Sequence, residues 1–514
     1  MSEKVDVVVV GAGPVGLMLA CELAAAGVEV LVVERLVHID PTVKAGAINV
    51  PTAQAFYRRG LLPRLLAEQD ATRAKLAEFM AAKGIPAPPQ DRLPFAGHFA
   101  GVMIDASVID LDDPAFADVG PAASVIMVSQ QQIEAILGER AAELGVTVRR
   151  GVTVTGFDAD GHGVAVHVEA CGDSASRHTV HADWLVGCDG GRSLVRKVAG
   201  FEFPGLDPEI TGRQVVAEMT DAEGLRPGWN RTDTGIYAHG PWPGRFLTVE
   251  LDGPPADRDA PVTAAEVQES LRRVSGVPVT VTKVISATRF TDNTRQATTY
   301  RKGRVLLAGD AAHVHSPFGG QGLNLGVGDA VNLGWKLAAT VRGWAPAGLL
   351  DTYTTERYPI GEWVLEWTRA QIAAMRTDQR SVALRGVLTD LLATPAGATY
   401  VLKQISGVLH RYHPGDHELI GAAAPDLALA DGTRLGEHGA DGRAVLLDAA
   451  DSPVLRTAAA PWSDRVRIVT AKPADPRTFT ALLVRPDGYV AWASDTPAPT
   501  GLTAALARWF GAPR

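Results

Sequence analysis

Val5-Asp6-Val7-Val8-Val9-Val10-Gly11-Ala12-Gly13-Pro14-Val15-Gly16 lies near the start of the chain, followed by Leu17–Ala26, Gly27, Val28–Val33 and Glu34. Val5–Val10 is mostly β-branched, the composition of a strand buried on both faces of a parallel sheet. Leu17–Ala26 has helical composition, Gly27 stops it, and Val28–Val33 reads as a second buried strand. The whole is a βαβ unit with Gly-x-Gly-x-x-Gly at its first turn. Gly11 permits the tight turn, Gly13 lets a pyrophosphate approach the backbone, and Gly16 lets helix and strand pack closely. Pro14 suits the first helical turn, where its missing N–H is no loss. The helix start then faces the pyrophosphate, and Glu34 can bind ribose hydroxyls from the end of the second strand. This predicts a dinucleotide site. The motif alone leaves FAD, NAD and NADP open, although an acidic Glu34 disfavours the 2′-phosphate of NADP.

The remaining composition sets the bounds. The chain has 514 residues, 46% of them apolar and 21% charged. At about 150 residues per domain this predicts roughly three globular domains and excludes disorder and collagen-like repeats. The three cysteines, Cys21, Cys171 and Cys188, are widely spaced with no CxxC pair. That suits a reducing cytosol and gives no cysteine-built metal site, so no metal is expected. A net charge of −9 argues against a nucleic-acid partner. Met1–Val33 is apolar but lacks a basic n-region and a small-residue cleavage site, and Glu22 and Glu29 interrupt it. No later apolar run is long enough to span a bilayer. A cytoplasmic protein with no membrane partner is expected.

Two later motifs bear on the cofactor. Asp183-Trp184-Leu185-Val186-Gly187-Cys188-Asp189-Gly190-Gly191-Arg192-Ser193 is a short apolar strand entering a glycine turn, with Arg196 and Lys197 on the next helical turn. Gly303-Arg304-Val305-Leu306-Leu307-Ala308-Gly309-Asp310-Ala311-Ala312-His313 is a strand ending in Gly-Asp. The loop Pro317-Phe318-Gly319-Gly320-Gln321-Gly322-Leu323-Asn324 and a helix over Gly328–Val341 follow. Asp310 at a strand's carboxyl end can bind a sugar hydroxyl. The loop offers backbone N–H groups to an electron-rich ring, beside the positive end of a helix dipole.

With these three motifs in order, the sequence resembles the group A flavoprotein aromatic hydroxylases, relatives of p-hydroxybenzoate hydroxylase and phenol hydroxylase. Among them it looks most like the bacterial hydroxylases that tailor aromatic polyketides. The resemblance is strong over residues 1–370, where Asp351–Pro359 looks like the stretch closing the FAD-binding part, and weaker beyond. It implies that Gly11, Gly13, Pro14, Val15, Gly16, Glu34 and Arg35 hold the ADP half of FAD, with Gln130 near the sugar and phosphates. It implies that Gly309 and Asp310 hold the ribityl or pyrophosphate region, and that Pro317, Gly320, Gly322, Leu323 and Asn324 lie along the isoalloxazine. Asp189 and Arg192 match a motif used for both FAD and NAD(P)H. One departure stands out. Where the family commonly has an arginine near the flavin phosphates and nicotinamide, this chain has Lys44, which keeps the charge and loses the planar fork. Pro51 replaces a second charged residue.

The resemblance also implies a reaction. NAD(P)H (NADPH or NADH as a transient co-substrate) reduces FAD, O₂ adds, and a flavin C4a-hydroperoxide hydroxylates an aromatic or phenolic polyketide-type small molecule. Baeyer–Villiger chemistry, antibiotic inactivation and a flavin-retaining non-catalytic binding protein remain alternatives. No side chain declares itself a catalytic base; His313 and His315 flank the flavin loop, and orienting the backbone explains them equally well.

The expected architecture is α/β. A Rossmann-type FAD-binding domain covers 1–75, 106–199 and 281–395. An antiparallel β-sheet substrate domain covers 76–105 and 200–280, with strands at Gln214–Met219, Gly235–His239 and Arg245–Leu251, and His98–Asp105 adding to the same sheet. Met219, Tyr237, His239, Trp242 and Phe246 are its candidate substrate-lining residues. A thioredoxin-like domain without CxxC covers 396–514. Trp363–Leu392 reads as one helix with a solvated basic face (Arg369, Arg376, Arg380, Arg385). Homodimerisation is left open.

Overall fold

The computed structural model describes residues 3–82, 95–240, 242–258, 260–498 and 500–513. The Pro86-Ala87-Pro88-Pro89 loop, and Pro241 in the turn before Trp242, lie outside the described residues. Glu3–Val10 runs through the middle of the main sheet, parallel to Val30–Glu34 on one side and to the end of Asp173–Gly187 on the other. Val7 stands opposite both Val30 and Trp184. Thr147–Arg150 and Val305–Leu307 continue the sheet outward in parallel, and Arg301–Lys302 closes one edge. Val7, Val8 and Val9 are completely buried, as a strand covered on both faces requires. The helix Pro14–Ala25 packs between Gln130–Glu143 and Gly322–Val341 on one of those faces. Asp173–Gly187 also carries an antiparallel extension, Val164–Ala170 and Val152–Ala159, on its first half.

A second, wholly antiparallel sheet has the order Gly228–Thr232, Gly235–His239, Arg245–Glu250, Thr211–Thr220, Thr280–Phe290. The helix Ala264–Ser275 covers one face. The sheet runs past residue 280, where the sequence reading ended the substrate segment: Thr280–Phe290 pairs along its length with Thr211–Thr220. Nothing in the composition of that strand says which sheet it joins. A second expectation also fails. Phe95–Phe99 and Val102–Asp105 form their own hairpin instead of extending the sheet. The hairpin packs over the sheet through Phe99 and Ile104, and the Arg231 guanidinium donates to the Ala100 carbonyl.

The long helical stretch is broken. Thr352–Met375 ends at Arg376, and Gln379–Leu392 restarts under an N-cap in which Asp378 accepts from the N–H groups of Arg380 and Ser381. Its basic face is partly committed. Arg369 donates to Thr294 Oγ1, Arg385 to the carbonyls of Ala374 and Arg376, and Arg376 pairs with Glu209.

Beyond residue 440, Ala444–Asp448 lies parallel to Val466–Thr470 and antiparallel to Ala481–Val484, which pairs with Val490–Ser494. Helices Pro453–Ala459 and Leu502–Phe510 complete this βαβββα unit. Its core (Leu446, Trp462, Leu483, Phe510) incorporates Trp335 from Gly322–Val341. A buried charge cluster fastens it to the rest. Arg485 holds Glu356 by two bonds of 2.6 and 2.8 Å and also binds Asp487, and Lys336 donates to Glu356 at 2.6 Å. These two cations and two anions are at most 2% exposed, and their charges cancel, the condition under which buried ions are tolerated.

Candidate functional site

The glycines of the first turn differ in their surroundings. A Cβ on Gly11, whose φ is +105°, would stand 2.4 Å from the Cys188 carbonyl oxygen, and one on Gly16 would stand 2.0 Å from the Gly11 oxygen. A Cβ on Gly13 would meet nothing within 4 Å. Gly11 and Gly16 are therefore demanded by the fold, whereas Gly13 borders open space. The helix that follows has no side-chain cap, so its first N–H groups are available to an anion. Glu34 lies beside this turn, one carboxylate oxygen accepting from Ala12 N–H and the other from Leu36 N–H, both at 2.8 Å. Arg35 next to it is exposed.

Gly309 closes against the same turn, since a Cβ there would touch Val15 at 3.0 Å. Asp310 is exposed and makes no side-chain hydrogen bond with any described residue. Beneath it lies a buried cluster that the sequence reading missed. Asp329 accepts from Gly309 N–H at 3.0 Å and Arg357 Nε at 2.8 Å, and lies 2.7 Å from His313 Nε2. Burial alone would raise the Asp329 carboxyl, but the charges of His313 and Arg357 hold it below its ordinary range. The signal was present: an aspartate inside the largely apolar run Gly322–Val341 needs a buried partner. His313 is fully buried in this cluster. His315 Nδ1 donates to the Ser316 carbonyl at 2.7 Å, and burial lowers the pKa of its imidazole.

The loop Pro317–Gln321 leads into Gly322–Val341, whose start also lacks a side-chain cap. Pro317 and Gly320 are exposed, Gly322 and Leu323 half-buried. Asn324 ties two segments together, donating to the Gly320 carbonyl and accepting from Asn49 N–H, both at 2.9 Å. The segment before Asn49 runs past Gln130, whose N–H donates to the Ala45 carbonyl at 3.0 Å. Gln130's side chain binds Glu134 at 2.8 Å. Lys44, at the segment's start, pairs with Asp40 at 2.8 Å and is partly exposed. Pro51 occupies the first turn of the helix capped by Asn49.

The Asp-Gly motif serves the fold more than expected. Asp189 accepts from Ser193 Oγ at 2.5 Å and from the N–H groups of Leu194 and Val195, capping the short helix Leu194–Val198. Burial raises its pKa. Arg192 is exposed. Arg196 bridges the two later motifs by donating to the carbonyls of Gly191 and Ala311.

The candidate substrate residues lie mainly on the helix-covered face of the second sheet. Tyr237, Phe246 and Met219 pack with Val267, Leu271 and Val274 on the helix-covered side. His239 and Trp242 sit half-buried at the end of that strand and in the next turn. The other face presents Trp229, Ile236, Leu247 and Phe290 toward the loop. The rings of Trp229 and Phe290 lie 6.0 and 5.9 Å from that of Phe318. Because both faces of this sheet are covered, neighbouring positions such as Phe246 and Leu247 are equally apolar and alternation cannot rank them.

Open space at Gly13 and Gly320, two uncapped helix starts and an Asp310 with no side-chain hydrogen bond to any described residue fit FAD. The comparisons agree. A family model described as an FAD binding domain matches residues 4–368, and one for the C-terminal region of aromatic-ring hydroxylases matches 417–513. A 12-dehydrotetracycline 5-monooxygenase/anhydrotetracycline 6-monooxygenase of Streptomyces rimosus subsp. rimosus is 41% identical over 534 residues, covering 99% of both chains. A dialkyldecalin synthase of Streptomyces rugosporus is 38% identical over 517 residues, covering 98% of both. The solved structure of the OxyS anhydrotetracycline hydroxylase from Streptomyces rimosus has a TM-score of 0.86 at 40% identity, covering 99% of this chain and 100% of that one. The chain belongs to the FAD-dependent aromatic-ring hydroxylases, the group A flavoprotein family.

Proposed function

We propose that the protein is an FAD-dependent monooxygenase that uses NAD(P)H and O₂ to hydroxylate an aromatic, phenolic polyketide-type metabolite in the cytoplasm. The observation that carries this reading is the meeting of the open Gly13 turn, the Gly309–Asp310 turn and the Gly322 helix start beside a face lined by Trp229, Leu247, Phe290 and Phe318. Bound FAD would supply reduction by NAD(P)H and transfer of one oxygen atom of O₂ to an electron-rich ring.

The chain's own residues do the rest. The N–H groups at the start of Pro14–Ala25 bind the pyrophosphate and Glu34 receives ribose hydroxyls. Asp310 accepts from a sugar hydroxyl, and Asn324 keeps the loop and the Ala45–Asn49 segment at a set spacing. The aromatic face excludes water from the reacting ring. We assign residues 396–514 to a thioredoxin-like domain, whose βαβββα unit spans 444–510. With Cys21, Cys171 and Cys188 all outside it and all free, it has no thiol chemistry and serves as structure. A second reading, a flavin-retaining protein without oxygenation, draws on two observations: Lys44 is committed to Asp40, and a relative of equal reach is named a synthase.

Purified protein with FAD, NADPH and a panel of polyketide phenols separates these readings. Substrate-stimulated NADPH oxidation with product oxygenation supports the hydroxylase. Slow oxidation unchanged by every phenol supports the second reading. A protein that neither retains nor takes up FAD refutes both.

A further inference from the structure

We propose that Arg245 is the anion-binding residue of the aromatic site, its guanidinium receiving a deprotonated oxygen of the substrate, a phenolate, enolate or carboxylate. The proposal rests on the aromatic monooxygenase reading above.

The strand Arg245–Glu250 alternates cleanly. Phe246 packs on the helix side, Thr248 lies 2.8 Å from Ser270 on that helix, and Glu250 pairs with Arg213. Leu247 and Val249 face the Phe318 side, and Arg245 shares their parity. Other arginines on this sheet have partners: Arg213 pairs with Glu250 and Glu266, Arg289 with Glu266, and Arg231, though without a counter-ion, donates to the Ala100 carbonyl. Arg245 is the contrast. It is half-buried, and its side chain has no ion pair or hydrogen bond to any described residue. Burial, with no compensating charge, lowers its pKa. A protein that leaves a guanidinium partly desolvated without a counter-ion has kept it for an incoming anion.

Its place is informative. A Cβ on Gly46 would stand 3.9 Å from Arg245 Nη2. Gly46 lies between Ala45, held by Gln130, and Asn49, held by Asn324. The guanidinium therefore reaches the junction between the sheet's aromatic face and the segment bordering the candidate flavin site. Lys44 does not duplicate it, since its ammonium is paired with Asp40. An anion held here also answers a chemical need. The His98 ring lies against Trp229, but its Nδ1 already accepts from Gly101 N–H, and a neighbouring cation lowers a phenol's pKa. The O–H bond breaks with its proton passing to water, the electron pair stays on the oxygen facing Arg245, and the ring becomes more electron-rich.

Holoenzyme titrated with anthraquinone-2-carboxylate and with its neutral isostere anthraquinone-2-carboxamide, read by the flavin absorbance change, tests this. Wild type should bind the carboxylate about ten- to a hundredfold more tightly, the value of a charge-assisted hydrogen bond. Arg245→Met should erase the preference while leaving FAD content and carboxamide affinity within about twofold of wild type, and Arg245→Lys should restore part of it. Bound alizarin, whose spectrum reports its ionisation, should ionise at lower pH in wild type than free in solution, and lose that shift in Arg245→Met. Equal affinities for the two probes in wild type overturn the proposal and leave the aromatic reading intact. So does a preference that survives Arg245→Met, or a loss of FAD in its place. If neither anthraquinone nor any polyketide phenol binds, the aromatic reading fails and the proposal with it.

Discussion

Replacing Gly13 by alanine separates cofactor recognition from folding within one motif. Gly13 has φ −73° and ψ −179°, a conformation open to any residue, and its added methyl would meet no atom within 4 Å. By the unfolded-state entropy argument the substitution should stabilise the apoprotein by about 0.4–1 kcal/mol. The same methyl would stand where the pyrophosphate must approach the N–H groups of the helix Pro14–Ala25. Losing one or two charge-assisted hydrogen bonds, at about 1.5–3 kcal/mol each, should weaken FAD binding about a hundredfold or more. Gly16→Ala should do the reverse: its methyl would press to 2.0 Å from the Gly11 oxygen, costing at least about 1–3 kcal/mol of stability. Thermal melts of apoprotein and flavin-fluorescence titrations distinguish the pair. A Gly13→Ala protein that folds normally and binds FAD with wild-type affinity would refute the placement of the pyrophosphate at this helix.

Further outcomes test other parts of the site. Asp329→Asn should destabilise the fold by about 3–5 kcal/mol, because Arg357 is left without its counter-charge; a melt within experimental error of wild type would sink this. Phe290→Ala should weaken aromatic ligands, whereas Tyr237→Ala should cost about 3–5 kcal/mol of stability and leave their affinity unchanged in a correctly folded fraction. The opposite result would restore the face first expected from sequence. Burial works against the Glu356 carboxylate, but Arg485 and Lys336 hold its pKa below the ordinary 4.5. Its contribution is thus complete above about that pH and is lost as pH falls from there through the lower folded value. Melting temperatures between pH 7 and pH 3 should drop, and Glu356→Gln should start lower and fall less steeply.

Much of the candidate site was legible in order along the chain, because its motifs are local. A β-branched strand, a glycine turn and a helix start are neighbours in sequence, so Gly11, Gly13, Gly16 and Glu34 could be placed by spacing alone. Gly309 and Asp310 are readable for the same reason, at the end of a short apolar strand. The partners of these residues were not. Asp329 reaches Gly309 across 20 residues and Arg357 across 28, and only packing shows that one carboxylate serves both. Asp189 looked like a ligand-binding residue, and the structure spends its oxygens on capping the next helix.

By itself the sequence determined the βαβ unit, the succession of motifs and an α/β architecture, all consequences of periodicity and turn chemistry between near neighbours. Tertiary structure decided three things: which face of the second sheet meets the Pro317–Gln321 loop, that Thr280–Phe290 belongs to that sheet, and which of its arginines keeps no side-chain partner among the described residues. The physical reason is common to all three. A sheet covered on both sides has apolar residues on both faces, and an arginine's partner is set by the strand pairing that brings carboxylates near. Arg213 and Arg245 look alike in sequence. One lies within reach of Glu250 and Glu266, and the other faces the opening beside Gly46.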